Sequence, residues 1–137
     1  MRSPKYTDAF TLVEILMVVL IISMFSYLAM SRFDVHRRQT ADRVTRANLE
    51  NLRMAISLFY DQENNTWPNN SLSTLVTGAP SGKKYIAKIP KEAVKNSSTV
   101  VNILNYSGGW YWDNVVNHKL SPNLQGSDSF GVLYNEY

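Results

Sequence analysis

Residues 10–30 read FTLVEILMVVLIISMFSYLAM, a run of 21 positions that carries one charged side chain, Glu14. At about 1.5 Å of rise per residue, a helix of that length matches a hydrocarbon layer about 30 Å thick. Leucine, isoleucine, valine and methionine recur on every side of such a helix, leaving it no polar face. That pattern belongs to a membrane span, not to an amphipathic surface helix. The remaining polar sequence, roughly 100 residues, is too small to wrap a helix of this kind inside a soluble core.

What flanks the run is equally informative. A conventional secretory signal places a small-residue cleavage site after a short apolar stretch of about 7–15 residues. Here Arg2 and Lys5 supply a basic start, but the apolar run continues into Ser31, Arg32 and Phe33 with no such site. The well-placed small residue, Ala9, precedes the run. Cleavage there removes the polar leader MRSPKYTDA and keeps the apolar segment. Glu14 is the second anomaly, because an acidic side chain at mid-bilayer costs about 2.5–3.5 kcal/mol. Two readings of it stand side by side. The carboxylate either reaches the interface and profits from the helix amino terminus, or it awaits a positive partner in an assembly.

Leader, cleavage point and carboxylate occur together in DAFTLVEILMVVLIIS, residues 8–23, which resembles the class III signal of type IV prepilins and type II secretion pseudopilins. The resemblance implies cleavage by a prepilin peptidase between Ala9 and Phe10, with methylation of the new amino terminus at Phe10. Glu14 then becomes the fifth residue of the mature chain. It also implies self-association into a helical filament in which the Phe10 amine pairs with Glu14 of a neighbouring subunit. Residues such as Leu12, Val13, Ile15 and Leu16 would supply the adhesive surface. Other pilins or pseudopilins, the peptidase, an inner-membrane assembly platform and, before assembly, membrane lipid are the implied partners. The implied location is a bacterial inner membrane, crossed once with the carboxy-terminal part outside the cytoplasm, and afterwards a periplasmic or surface filament.

The chain departs from the family pattern in three places. Alanine at position 9 stands where glycine is usual. Ser23 and Ser31 occupy positions where many pilins carry glycine or proline, so the helix is expected to run straight and continuous, with no proline to remove a donor. The absence of cysteine removes the disulfide that closes the carboxy-terminal loop in many pilins, and another device must hold that end. In major pseudopilins the corresponding loop holds calcium. Asp128, in the turn-rich stretch GSDSFG, is the candidate ligand here, with Asp113 a second; the competing reading is an ordinary Asx turn.

Beyond the apolar run, residues 32–63 lack glycine and proline and favour helix. Val44, Leu49, Leu52, Ala55, Ile56 and Phe59 fall near a 3.6 spacing and predict a stripe that covers a sheet. Asn64, Asn65 and Pro68 are stop signals. Arg32, His36, Arg37 and Arg38 read as a solvated or headgroup-facing collar, and charge counting alone does not orient the chain, since leader and collar are both basic. Further on, Leu72, Leu75 and Val76 suit a short helix, residues 85–89 an edge segment, and residues 98–106 a strand. The stretch Gly108 to Asn114, GGWYWDN, predicts a hairpin running through Leu120. Its tryptophans are expected to pack a core, a carbohydrate platform being the other use.

The expected fold class is therefore α+β: one long amino-terminal helix, membrane-spanning in its first half, packed on a small antiparallel sheet. The segments are a leader (1–9), an assembly half of the helix (10–31), an amphipathic half (32–63) and a small β-rich domain (64–137). A net charge of +3 with no basic stripe gives no footprint for nucleic acid. No catalytic triad, nucleophile elbow or phosphate loop is present, and His36 and His118 have no ligand or catalytic partner at recognisable spacing. The reading from a different class is a single-span, membrane-anchored binding module with a tryptophan-rich hairpin. It predicts that Phe10 is not the mature terminus.

Overall fold

The computed structural model describes residues 10–78 and 80–137, so the leader, including Ala9, lies outside the described residues. The order of elements is α1 (Leu12–Gln62), α2 (Ser73–Thr77), β1 (Val100–Val101), β2 (Trp110–Asp113), β3 (Lys119–Pro122) and a closing 3₁₀ turn (Tyr134–Glu136). The chain divides into two units whose boundary falls between His36 and Arg37, within α1.

In the first unit every described side chain of residues 10–36 is exposed, Leu12 at 80% and Ile21 at 56%. One helix here is long and apolar enough to cross a membrane, with a mean hydropathy of 2.4 over its best window. The hydroxyls of Ser23 and Ser26 donate back to the carbonyls of Val19 and Ile22 at 2.7 and 2.8 Å. Both polar groups are thereby satisfied within the helix, which is what a lipid-facing serine requires. The backbone stays helical through Ser31, consistent with the continuous helix expected from the missing proline.

The second unit forms around the carboxy-terminal part of α1. Leu49, Leu52, Ala55, Ile56 and Phe59 are buried, as the 3.6 spacing predicts. Val44 is not: it is 43% exposed, and the stripe continues through Asp42 and Thr45, both wholly buried. The helical period passes through those two polar residues, so Val44 lies one position off the buried line. The helix ends as expected at Asn64 and Asn65, both left-handed (φ 53° and 57°), with the Asn65 amide donating to Tyr60 O at 3.0 Å. Asparagine fills here the role that glycine plays in most helix carboxy-terminal caps.

Leu72, Leu75, Trp110, Trp112 and Leu120 complete the core, so the hairpin tryptophans pack inward and do not form an exposed platform. Trp110 donates its indole N–H to Pro90 O at 2.8 Å. The sheet order is β1-β2-β3. β2 and β3 form the expected antiparallel hairpin, but β1 runs parallel to β2, so the sheet is mixed and not antiparallel. Strands hold only two, four and four residues, and most of the chain after residue 63 is turn and loop. Residues 85–89 form no strand; instead the Tyr85 and Ile86 amides both donate to Leu75 O, at 2.9 and 3.2 Å.

The parallel pairing is unusual because so few residues join β1 to β2. Gly109, at φ +78°, makes it possible: a Cβ there would lie 2.1 Å from Thr99 O. The connection is pinned by Asn123, fully buried, whose Oδ1 accepts from the Asn105 and Tyr106 amides at 3.2 and 2.8 Å. Its Nδ2 donates to Asn105 Oδ1 and Gly108 O. Those two amides are thus unavailable to a ladder, and the strand expected over 98–106 is only two residues long.

Candidate functional site

Two places carry the chemistry: the start of α1 and the closing tail. At the first, Thr11 caps the helix, its Oγ1 accepting from the Glu14 amide at 3.3 Å while Thr11 O accepts from the Glu14 and Ile15 amides. Thr11 and Glu14 stand at the first and fourth positions of a capping box. The Glu14 carboxylate is exposed, and among the described residues it makes no hydrogen bond or ion pair. It lies in the first turn of α1 and stays available to a donor from outside. Phe10 beside it is 74% exposed, while its expected cleavage partner Ala9 is not described. The collar residues Arg32 and His36 are exposed, and the described residues hold no cluster of three or more potential metal ligands.

The tail is held by a polar network that is only partly visible in the sequence. Asp128 is buried (5% exposed) and forms the Asx turn that GSDSFG suggests, its Oδ1 accepting from the Phe130 and Val132 amides at 2.8 and 2.9 Å. Its Oδ2 accepts from the Arg46 guanidinium and the Tyr137 hydroxyl. Burial alone would raise the Asp128 pKa, but Tyr137, the two amides and Arg46 more than offset it and hold the carboxyl down at about 2. Burial and the same contact push the Tyr137 phenol up to about 12. Arg46 also lies over the Tyr137 ring, 4.4 Å from its centroid. One turn earlier on α1, buried Asp42 accepts from the Tyr134 hydroxyl at 2.6 Å and the Ser129 amide at 2.8 Å. Arg53 donates to Leu120 O and Tyr137 O.

These partners bear on the calcium reading. Every oxygen of the Asp128 carboxylate already faces donors, one of them a cation, whereas calcium needs about 6–8 oxygen ligands. Asp113 is occupied elsewhere, its carboxylate accepting from the Val115, Val116 and Asn117 amides in the β2–β3 turn. The residues present do not fit a calcium ion: the partners of the Asp128 carboxylate are hydrogen-bond donors, with the Arg46 guanidinium among them. Neither the polar line through Asp42 and Thr45 nor the reach of Arg46 leaves a trace in the apolar periodicity, so neither is announced by the sequence.

His118, which has no evident partner in the sequence, stacks on Trp67 with centroids 4.2 Å apart and planes 11° from parallel. Glu63, also buried, accepts from the Ser81 and Tyr85 hydroxyls, and these contacts, Ser81 first, lower its pKa. Both serve the packing of loops on the end of α1. Comparisons with family models, curated proteins and solved structures find no match to this chain.

Proposed function

We propose that the chain is the structural subunit of a filament of the type IV pilus or type II secretion pseudopilus kind. The observation that carries this is at the start of α1: apolar side chains exposed on all sides, with one unpaired carboxylate in the first turn. A lipid bilayer satisfies the apolar surface but not the carboxylate; a bundle of like helices, each with a free amine near its start, satisfies both. On this reading the peptidase cuts between Ala9 and Phe10, and the methylated Phe10 amine of one subunit pairs with Glu14 of the next. An unpaired charge in that apolar interior costs several kcal/mol, so a subunit in the wrong axial register is penalised. The subunit waits in the inner membrane with residues 37–137 outside the cytoplasm, and assembly machinery draws it into the filament.

Glu14→Ala tests this. Filament yield is expected to fall at least about tenfold while membrane insertion is unchanged; normal filament yield from the variant sinks the register role. Intact mass of the protein from host membranes tests processing. A mass for Phe10 to Tyr137 plus one methyl group supports the proposal. Retention of the leader in a host with active prepilin peptidase leaves only a membrane-anchored domain.

A further inference from the structure

Residues 32–38 read RFDVHRR and follow directly on the apolar run of α1. The guanidiniums of Arg32 and Arg37 are exposed and make no hydrogen bond or ion pair among the described residues, and Arg38 has only a long contact of 3.4 Å to Ser127 O. The arginines further along α1 differ: Arg46 and Arg53 each hold a carboxylate, and Arg43 lies over the Phe130 ring. Asp34 is the one acidic side chain in the stretch, exposed and in no ion pair among the described residues. Asp42, the next carboxylate on the helix, is buried and engaged by Tyr134 and Ser129. Three fixed positive charges therefore stand against one negative. Apolar side chains alternate with them in the sequence: Phe33 is 67% exposed and Val35 54%.

Water satisfies the arginines but leaves Phe33 and Val35 bare. The headgroup layer of a bilayer takes both, because apolar side chains enter the acyl boundary while guanidiniums on long stems reach phosphate oxygens. The helix sets the depth: at about 1.5 Å of rise per residue, Arg32 to Val35 lie about 3–8 Å beyond Met30, within a headgroup layer of about 5–8 Å on each side of the hydrocarbon. Arg37 and Arg38 follow, and helix side chains lean towards the amino terminus, back towards the same layer. A zwitterionic headgroup offers its phosphate beside its own ammonium, whereas an anionic one offers it uncompensated, so the net positive charge selects the anionic lipid. We propose that residues 32–38 bind anionic phospholipid headgroups and so fasten the chain at the membrane surface. The proposal rests on residues 10–30 spanning the bilayer and not on filament assembly.

The test places the full chain, ¹⁵N-labelled, in nanodiscs of phosphatidylcholine with increasing phosphatidylglycerol. Arginine side-chain N–H signals are assigned with Arg32→Gln, Arg37→Gln and Arg38→Gln, and the Phe33 amide is followed beside them. Three positive charges less one negative, screened by salt, predict a preference of roughly tenfold. The signals of Arg32, Arg37, Arg38 and Phe33 should then shift saturably with a midpoint of about one anionic lipid in ten, while Arg46 and Arg53 stay in place. The triple variant should enter phosphatidylcholine discs as wild type does, and its Phe33 amide should lose the saturable shift. No saturable shift, or Arg46 and Arg53 moving together with the collar, overturns the proposal and leaves the span standing. An equal shift when soluble glycerol phosphate replaces the anionic lipid overturns it too, since the site then takes free phosphate. A chain that stays out of phosphatidylcholine discs overturns the span, and the proposal with it.

Discussion

Asp128→Asn separates the charge of the tail clamp from its shape. Asparagine keeps an oxygen for the Phe130 and Val132 amides but loses the charge that faces Arg46 and Tyr137. The native carboxyl is lowered from 3.8 to about 2, and each tenfold change in proton affinity corresponds to about 1.36 kcal/mol, which sets a ceiling of roughly 2–3 kcal/mol. Arg46 is 43% exposed, so solvent screens part of this, leaving about 1–2 kcal/mol. For a domain of this size that is a loss of about 5–10 °C in Tm. The sign in pH follows from the lowered pKa. A depressed folded pKa gives stability that is complete above the unfolded value, near pH 4, and lost as pH falls towards about 2. Wild type and Asp128→Asn should therefore differ at neutral pH and converge in acid. Urea unfolding of the full chain in micelles reads this directly, because all three tryptophans lie beyond residue 62 and report on the second unit. Equal stability at neutral pH, or a gap that stays constant down to about pH 2, would refute the electrostatic account of the clamp.

Two further substitutions probe the tight parallel connection. Gly109→Ala forces a Cβ to within 2.1 Å of Thr99 O at φ +78°, and should cost about 3 kcal/mol or more in urea unfolding; Gly126→Ala, at φ +85° with open space around it, should cost only about 1 kcal/mol. Asn123→Ala strands the Asn105 and Tyr106 amides and the Gly108 carbonyl, with an expected loss of about 3 kcal/mol and faster hydrogen exchange confined at first to residues 102–109.

Much of the architecture is legible in the sequence because single residues carry it. The apolar run, the helix stop at Asn64 and Asn65, and the hairpin with its Asp113 turn all follow from local chemistry. What stays hidden is what depends on residues far apart in the chain. Nothing near Val100 says that it pairs in parallel with Trp110, since the pairing rests on Gly109 lying against Thr99 and on Asn123 fastening the connection. The Asx turn at Asp128 is readable, but Arg46, 82 positions away, is not. Asp42 and Thr45 look like surface residues until Tyr134 and the Ala93 amide supply their partners.

The tail clamp also has a consequence in time. Asp42 and Tyr134 meet across 92 positions, Arg53 and Tyr137 across 84. Contacts of such separation form late, because the entropy of closing the intervening loop is spent before they return anything. During synthesis the face of α1 around Asp42 therefore waits, with Asp42 unpartnered, until the stretch carrying Ser129 and Tyr134 has left the ribosome. The hairpin and the tryptophan core draw on closer partners, whereas that face is sealed only when Tyr134 and Tyr137 arrive. Residues 128–137 thus close the face of α1 that the hairpin leaves uncovered, and its protection from proteolysis is the last to be gained.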